Sequence, residues 1–345
     1  MFFYTEKRIK LNNYFPDADW QTKSCKELNI KSDIVSELDR IIPEEYGNTE
    51  GIIIVKNGYI AYEKYFNGMN LNSKVNVASI TKSIISALIG IAIDRGYISS
   101  ADDKVIDYFK EYNFKENKYR NEVTIKDLLT MSAPFPFSNF NEPMNKMRRS
   151  DNWVKYALSI MGTGNKPGKF KYSTAGTHIL SGIITKVTGL SAREFSNKYL
   201  FNKIGAGLVL DVPLTEFSLT NVFGHGIDGW VNDPQGVSAG GWGLTLTLRD
   251  MARFGLLYLR KGKWKEEQVI SQKWIEDSIK FYHHDYGYLF WLKEINNVFT
   301  FSAKGFGGNI ITVIPSMDTV VVTTAKIETD NKNRKNIIND YILNM

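Results

Sequence analysis

Gly51-Ile52-Ile53-Ile54-Val55-Lys56-Asn57-Gly58-Tyr59-Ile60-Ala61-Tyr62-Glu63-Lys64-Tyr65-Phe66 reads as a β-hairpin. Two runs rich in β-branched and aromatic residues flank Asn57-Gly58, a dipeptide suited to the two-residue turn whose twist matches that of the strands. A second hairpin stands near the other end of the chain: Ile310 to Ile314, a turn at Pro315-Ser316-Met317-Asp318, then Thr319 to Thr323. Between the two, the patterns are helical. Residues 79–95 are apolar almost all round, as a buried helix is, and stop at Arg95-Gly96. Further helical patterns cover 125–131, 151–161, 174–188, 191–202, 247–261 and 271–280. Strands at both ends with helices in the middle do not alternate as βαβ units. An α+β fold follows, with an antiparallel sheet built from both chain ends, flanked by helices, and a mainly helical insertion. In this division residues 1–105 and 230–345 form a sheet-and-helix domain, and 106–229 a mainly helical one. The loop from Met131 to Asn145 and the Gly-rich stretch 224–243 are expected to line a cleft between them.

Bulk composition narrows the function classes. With 43% hydrophobic and 23% charged residues the 345-residue chain is of ordinary globular type. Its net charge of +6 is a mild excess of 43 basic over 37 acidic residues, without a basic stripe or a zinc-finger spacing, so nucleic acid is not an expected partner. The densest basic run, Lys332-Asn333-Arg334-Lys335, reads as a solvated helix face. Cys25 is the only cysteine, which excludes an intrachain disulfide. The first residues lack a secretory pattern, and the apolar helix near Ile84 falls short of a membrane span. A cytoplasmic protein without membrane attachment is the expectation.

Chemistry enters at Ser79-Ile80-Thr81-Lys82. A spacing of three on a helix puts both side chains on one face, within reach of each other. The helix N-terminus favours negative charge near Ser79, and the apolar neighbours Ile80, Ile84, Ile85 and Leu88 would desolvate the amine until it can act as a base. Such a pattern also recurs by chance about once or twice in a chain of this size, so alone it could be a capped helix start. Partners downstream change its weight. Phe170-Lys171-Tyr172-Ser173-Thr174-Ala175-Gly176 precedes an apolar helical pattern that ends at Thr188-Gly189.

With Ser79-x-x-Lys82 followed by Tyr172-x-Thr174, the chain resembles the serine β-lactamase and penicillin-binding-protein-like superfamily, and within it the class C β-lactamase-related serine hydrolases. The resemblance implies a β-lactamase/transpeptidase-like fold, Ser79 as acylated nucleophile, and Lys82 and Tyr172 as proton-transfer partners. Thr174 stands where the family often carries Asn. The third motif, a Lys/His-x-Gly strand motif in the family, falls at Ala303-Lys304-Gly305-Phe306-Gly307-Gly308-Asn309. Either Lys304 is its basic residue, or Phe306-Gly307-Gly308 replaces His-x-Gly. The second register gives the next strand a natural start, and then the Asn309 N–H, beside Gly308, pairs with that of Ser79 as the oxyanion hole. Gly240 to Gly255, Tyr286 to Trp291, Trp230 and the Asp233-Pro234-Gln235-Gly236 turn are similar to the branch with 6-aminohexanoate-dimer hydrolase-like enzymes and esterases. The likeness covers roughly residues 50–328. Trp242 is a candidate substrate platform, as is Trp291, although both more readily suit a core.

The expected activity is therefore hydrolysis of an amide or ester through a Ser79 acyl-enzyme. No cofactor or metal is expected, and the expected partner is a small acyl substrate. A penicillin sensor that is acylated without turnover is the alternative. A rival by letters alone is Gly236-Val237-Ser238-Ala239-Gly240, a Gly-x-Ser-x-Gly pattern with His283 and His284 downstream. It lacks the strand before and the helix after that a nucleophile elbow needs.

Overall fold

Both hairpins form, and they are zipped to one another. The computed structural model describes residues 14–138, 140–164, 166–213, 227–326 and 336–345. The strands that position the site are β1 (Thr49–Lys56), β2 (Tyr59–Tyr65), the short pair β3 (Lys74–Asn76) and β4 (Thr245–Thr247), then β5 (Trp291–Ile295), β6 (Val298–Lys304), β7 (Ile310–Ile314) and β8 (Thr319–Ala325). The main sheet runs β2-β1-β8-β7-β6-β5, all antiparallel. Its centre joins the two ends of the chain, with Ile53 opposite Val322 and Val55 opposite Val320. Asn57 and Gly58 both take positive φ, +53° and +86°, as the tight hairpin turn requires.

The continuous apolar run in β1 is explained by burial on both faces. Ile52 and Ile54 pack with Leu38 and Ile41 of helix α1 (Ser32–Glu45) and with Ile337 and Ile342. Ile53 and Val55 face the larger core, which holds helix α2 (Ile80–Asp94) and continues without a break into α3 (Trp153–Ile160), α4 (Thr174–Thr188) and α5 (Leu248–Leu259). The α2 residues from Ile80 to Ala92 are all buried.

α5 lies so close to the sheet that a Cβ on Gly255 would sit 2.5 Å from Val320 Cγ1 and 2.9 Å from Ile311 Cγ2. Both neighbours are stiff branched side chains in central strands. Gly255→Ala is therefore expected to destabilise by about 1–3 kcal/mol, the overpacking cost exceeding the ~0.5–1 kcal/mol that alanine returns in helix propensity. Thermal denaturation checks this, and an unchanged or raised midpoint would refute the close packing.

Two strands of the sheet differ from the sequence expectation. β5 and β6 flank Asn296-Asn297, whose φ values of +49° and +62° make a second tight turn without glycine. Of the aromatic run Tyr286 to Trp291, only Trp291 is in a strand. The pattern at 191–202 becomes a helix at Ala192–Ser196, a π turn at Asn197–Phe201 and a last turn to Ile204. Lys332, Arg334 and Lys335 lie outside the described residues. The leading segment from Tyr14 straps the β2 edge: Lys23 N–H donates to Ile60 O, Ile60 N–H to Gln21 O, and the Trp20 indole to Gly58 O. The Arg253 guanidinium grips the carbonyls of Asp17, Ala18 and Ile204. An otherwise open strand edge is thereby covered. Among the described residues no helix is long and apolar enough to cross a membrane.

Candidate active site

Ser79 is presented by a strained entry into α2. Ala78, just before it, has φ +48°, a conformation that a Cβ disfavours, and Asn76 Oδ1 holds it by accepting from the Ala78 N–H at 2.9 Å. The Ser79 hydroxyl makes no capping bond to the helix. It faces Lys82, whose Nζ donates to Ser79 Oγ at 3.2 Å. That removes the capped-helix explanation of the pattern, because the hydroxyl serves the amine and not the backbone.

Lys82 is only 2% exposed, and burial lowers its pKa to about 7. Its second bond goes to Gly241 O at 2.8 Å. A Cβ at Gly241 would come within 2.8 Å of Lys82 Nζ and 2.6 Å of Thr174 Cγ2, so only glycine brings this carbonyl to the amine. The Tyr172 ring centroid lies 5.0 Å from Lys82 Nζ. Burial pushes the Tyr172 phenol up to about 12, against a hydrogen bond with Ser79 that pulls it down. Ser79, Lys82, Tyr172 and Thr174 thus meet at one place although they come from α2 and the start of α4.

Two supports had no signal in sequence spacing. Glu142, in the loop expected to line the cleft, accepts from the Thr174 N–H at 2.5 Å and the Ala175 N–H at 2.7 Å. Ser173 Oγ accepts from the Gly176 N–H at 2.9 Å, so the first turn of α4 is satisfied from two sides. The second support is a buried pair. His178 Nε2 bonds Asp233 Oδ2 at 3.1 Å, and His178 Nδ1 accepts from the Gly240 N–H at 3.3 Å, which sets the tautomer. Asp233 Oδ1 also accepts from the Gln235 and Val237 amides. This network holds the loop whose next residue, Gly241, meets Lys82.

The candidate third motif spans the end of β6 and the turn to β7. Gly307 and Gly308 take φ +86° and +104° there. The turn is docked on the chain leading to Ser79: a Cβ on Gly305 would lie 2.2 Å from Val77 O, and Asn309 Nδ2 donates to Asn76 O at 3.1 Å. Asn309 is buried, with its Oδ1 accepting from the Ala325 N–H. Phe306 is 62% exposed at the turn, and the Lys304 amine lies over the Trp291 ring, 5.4 Å from its centroid. Trp242 is buried with its ring 5.9 Å from that of Trp153, a core position in place of the exposed platform expected of it. The tryptophan beside Tyr172 is Trp291, stacked at 6.0 Å, and Phe140, 64% exposed, stacks on Tyr172 at 5.1 Å. Ser238 is also excluded as a nucleophile. It is wholly buried, and its Oγ accepts from the Arg193 N–H at 3.1 Å. Among the described residues no group of three His, Cys, Asp or Glu could hold a metal ion.

The chain is similar to known proteins in sequence and in fold. The chain is 24% identical over 245 residues to the 6-aminohexanoate-dimer hydrolase of Paenarthrobacter ureafaciens, covering 66% of this chain and 56% of that protein. It thus spans about half the length of that relative. Among solved structures, EstCE1, a hydrolase with promiscuous acyltransferase activity, superposes with a TM-score of 0.69 at 16% identity over 92% of this chain and 98% of that one. A class C beta lactamase from Rhodobacter sphaeroides does so with a TM-score of 0.65 at 16% identity over 91% and 99%. These likenesses establish the β-lactamase/transpeptidase-like fold. The family model described as Beta-lactamase matches residues 45–340, a span that contains every residue of the site, and the chain belongs to the beta-lactamase family.

Proposed function

We propose that the chain is a serine hydrolase that cleaves uncharged carboxylic esters or small amides with apolar groups through a Ser79 acyl-enzyme. The observation that carries this reading is the desolvated Lys82 amine, 3.2 Å from the Ser79 hydroxyl. Burial brings the Lys82 amine down to about 7, so its neutral form is accessible near neutral pH, and pushes the Tyr172 phenol up to about 12, so it stays protonated there. Lys82 is therefore the base, and Tyr172 acts as a neutral phenol that passes a proton on. Ser79 Oγ bonds to the acyl carbon as its proton moves to Lys82 Nζ. The resulting oxyanion is met by the Ser79 N–H at the start of α2 and by an amide of the 305–309 turn, for which the Asn309 N–H beside Gly308 is the proposed donor. Collapse expels the alcohol or amine, which takes the proton through Tyr172, and water then releases the acid by the same steps in reverse.

Substrate preference is inferred from the rim. Phe140 and Phe306 are exposed aromatics, and Trp291 and Tyr172 extend the apolar surface behind Phe140. In the register that sets Phe306 where the family carries a cationic side chain, a carboxylate-bearing β-lactam has no charge partner at that position, and Lys304, whose amine lies over the Trp291 ring, is the cation nearest to it in sequence. A p-nitrophenyl ester series from acetate to octanoate, run beside nitrocefin, tests this. Each methylene buried against the rim should raise kcat/KM by up to roughly fourfold, from about 0.8 kcal/mol per CH₂. Phe140→Ala should flatten that series. Faster turnover of nitrocefin than of every ester would overturn the ester preference. A single stoichiometric burst with no turnover would replace the hydrolase with an acylated sensor.

A further inference from the structure

Glu142 has no place in the proton transfers just described, yet its position ties it to them. It sits in the loop between the short helices Ile125–Leu129 and Met144–Arg148, 30 residues before Tyr172 in the chain. Both of its carboxylate oxygens are directed at the first turn of α4, on the Thr174 and Ala175 amides, with Ser173 Oγ a further 3.4 Å contact. Tyr172 lies two residues before Thr174 and so leads directly into this clamped turn. Two residues earlier in the Glu142 loop, the Phe140 ring lies on the Tyr172 ring. The tyrosine is thus held on its ring face by one residue of the loop, and the backbone that follows it is held by another.

We infer that Glu142 is a positioning residue for the reaction, one that fixes Tyr172 against Ser79 and Lys82 by clamping the first turn of α4. This inference rests on the hydrolase reading above. The Ser173 cap serves only the Gly176 amide, and Glu142 is the acceptor for the Thr174 and Ala175 amides that the cap leaves open. The added carboxylate stabilises the turn, and its charge also reaches the site.

The charged and titratable groups that face Glu142 are Lys82 from α2, Tyr172 from the segment before α4 and Tyr156 from α3. Burial raises the Glu142 carboxyl above its usual range, while the Thr174 and Ala175 amides and the Lys82 charge pull it down. In return Glu142 favours the ammonium form of Lys82, opposing the larger effect of burial. It also favours the neutral form of Tyr172. Loss of the charge should therefore make Lys82 easier to deprotonate, and the acid limb of kcat/KM should move to lower pH. Loss of the clamp should lower the plateau, because Tyr172 is no longer held in line.

The test compares Glu142→Gln and Glu142→Asp with the wild type by pH–rate profiles on a p-nitrophenyl ester, normalised by fluorophosphonate active-site titration. The glutamine variant keeps one acceptor oxygen and loses the charge. Its plateau kcat should fall roughly 10- to 100-fold, the scale of a displaced catalytic group, with the acid limb shifted to lower pH. The aspartate variant keeps the charge, so its limb should stay at the wild-type pH while its plateau recovers part of the loss. A merely structural role would lower the melting midpoint without moving the limb, and that result overturns the inference. Full labelling with wild-type kcat and an unmoved limb in Glu142→Gln overturns it as well. A wild type that takes up no label overturns the hydrolase reading, and this inference with it.

Discussion

Ser79→Ala is expected to abolish labelling by a fluorophosphonate probe and to lower ester turnover by about 10⁴-fold or more, leaving the fold intact. The size follows from what the hydroxyl does. It is the group that bonds to the acyl carbon, so without it only binding and oxyanion stabilisation remain. The stability side follows from what the hydroxyl does not do. A serine that caps a helix costs about 0.5–2 kcal/mol when truncated, but Ser79 makes no capping bond, and its partner is the Lys82 amine. The melting midpoint of Ser79→Ala should stay close to that of the wild type. Ser238→Ala is the control. Its hydroxyl is buried against the Arg193 amide, so labelling should persist even if stability falls. Labelling that survives in Ser79→Ala and vanishes in Ser238→Ala would overturn the assignment of the site.

The second large effect is at Lys82. Lys82→Met, chosen to keep volume, should lower kcat by about 10³-fold or more and remove the acid limb near pH 7, the ionisation that limb reports. Stability should respond in the opposite sense. Between pH 7 and 10.5 the unfolded chain holds a proton on Lys82 that the folded chain has released, so wild-type stability rises with pH across this window. Below pH 7 the full penalty of burying the ammonium is present, roughly 3–5 kcal/mol from the displacement between 10.5 and about 7. Methionine at this position removes that penalty and leaves the Gly241 carbonyl without its donor, at a cost of about 1–3 kcal/mol. The variant should therefore be inactive yet at least as stable as the wild type at pH 6, with its advantage shrinking toward pH 10. Denaturant titrations at the two pH values check this. A variant that is less stable at pH 6 would mean that Lys82 is not buried as a base. Inactivity together with the gain at pH 6 would mark Lys82 as a residue retained for chemistry at a cost in stability.

The hairpins, the all-round apolar α2 and the Ser79–Lys82 pair were legible because each depends on residues within a few positions of one another. A β-branched run in β1, Asn57-Gly58 in the turn and a spacing of three on a helix are local rules, and they held. β5 and β6 were missed for a related reason. Their turn is Asn296-Asn297, which reaches positive φ without the glycine that marks such turns in a sequence.

The remaining parts of the site depend on contacts far apart in the chain. Gly241 O reaches Lys82 across 159 residues, Asp233 reaches His178 across 55, and Glu142 reaches the Thr174 amide across 32. No periodicity encodes such pairs, because their meeting depends on how the helices pack on the sheet. The same holds for the choice between Trp242 and Trp291: both letters suit a core or a rim, and only the packed chain buries one against Trp153 and sets the other on Tyr172. The sequence by itself determined the candidate nucleophile and its base, since a helix brings together residues three apart whatever surrounds it. Tertiary structure alone decided what desolvates that base, what holds its neighbours and what rims the site, since burial and long-range closure belong to the folded chain as a whole.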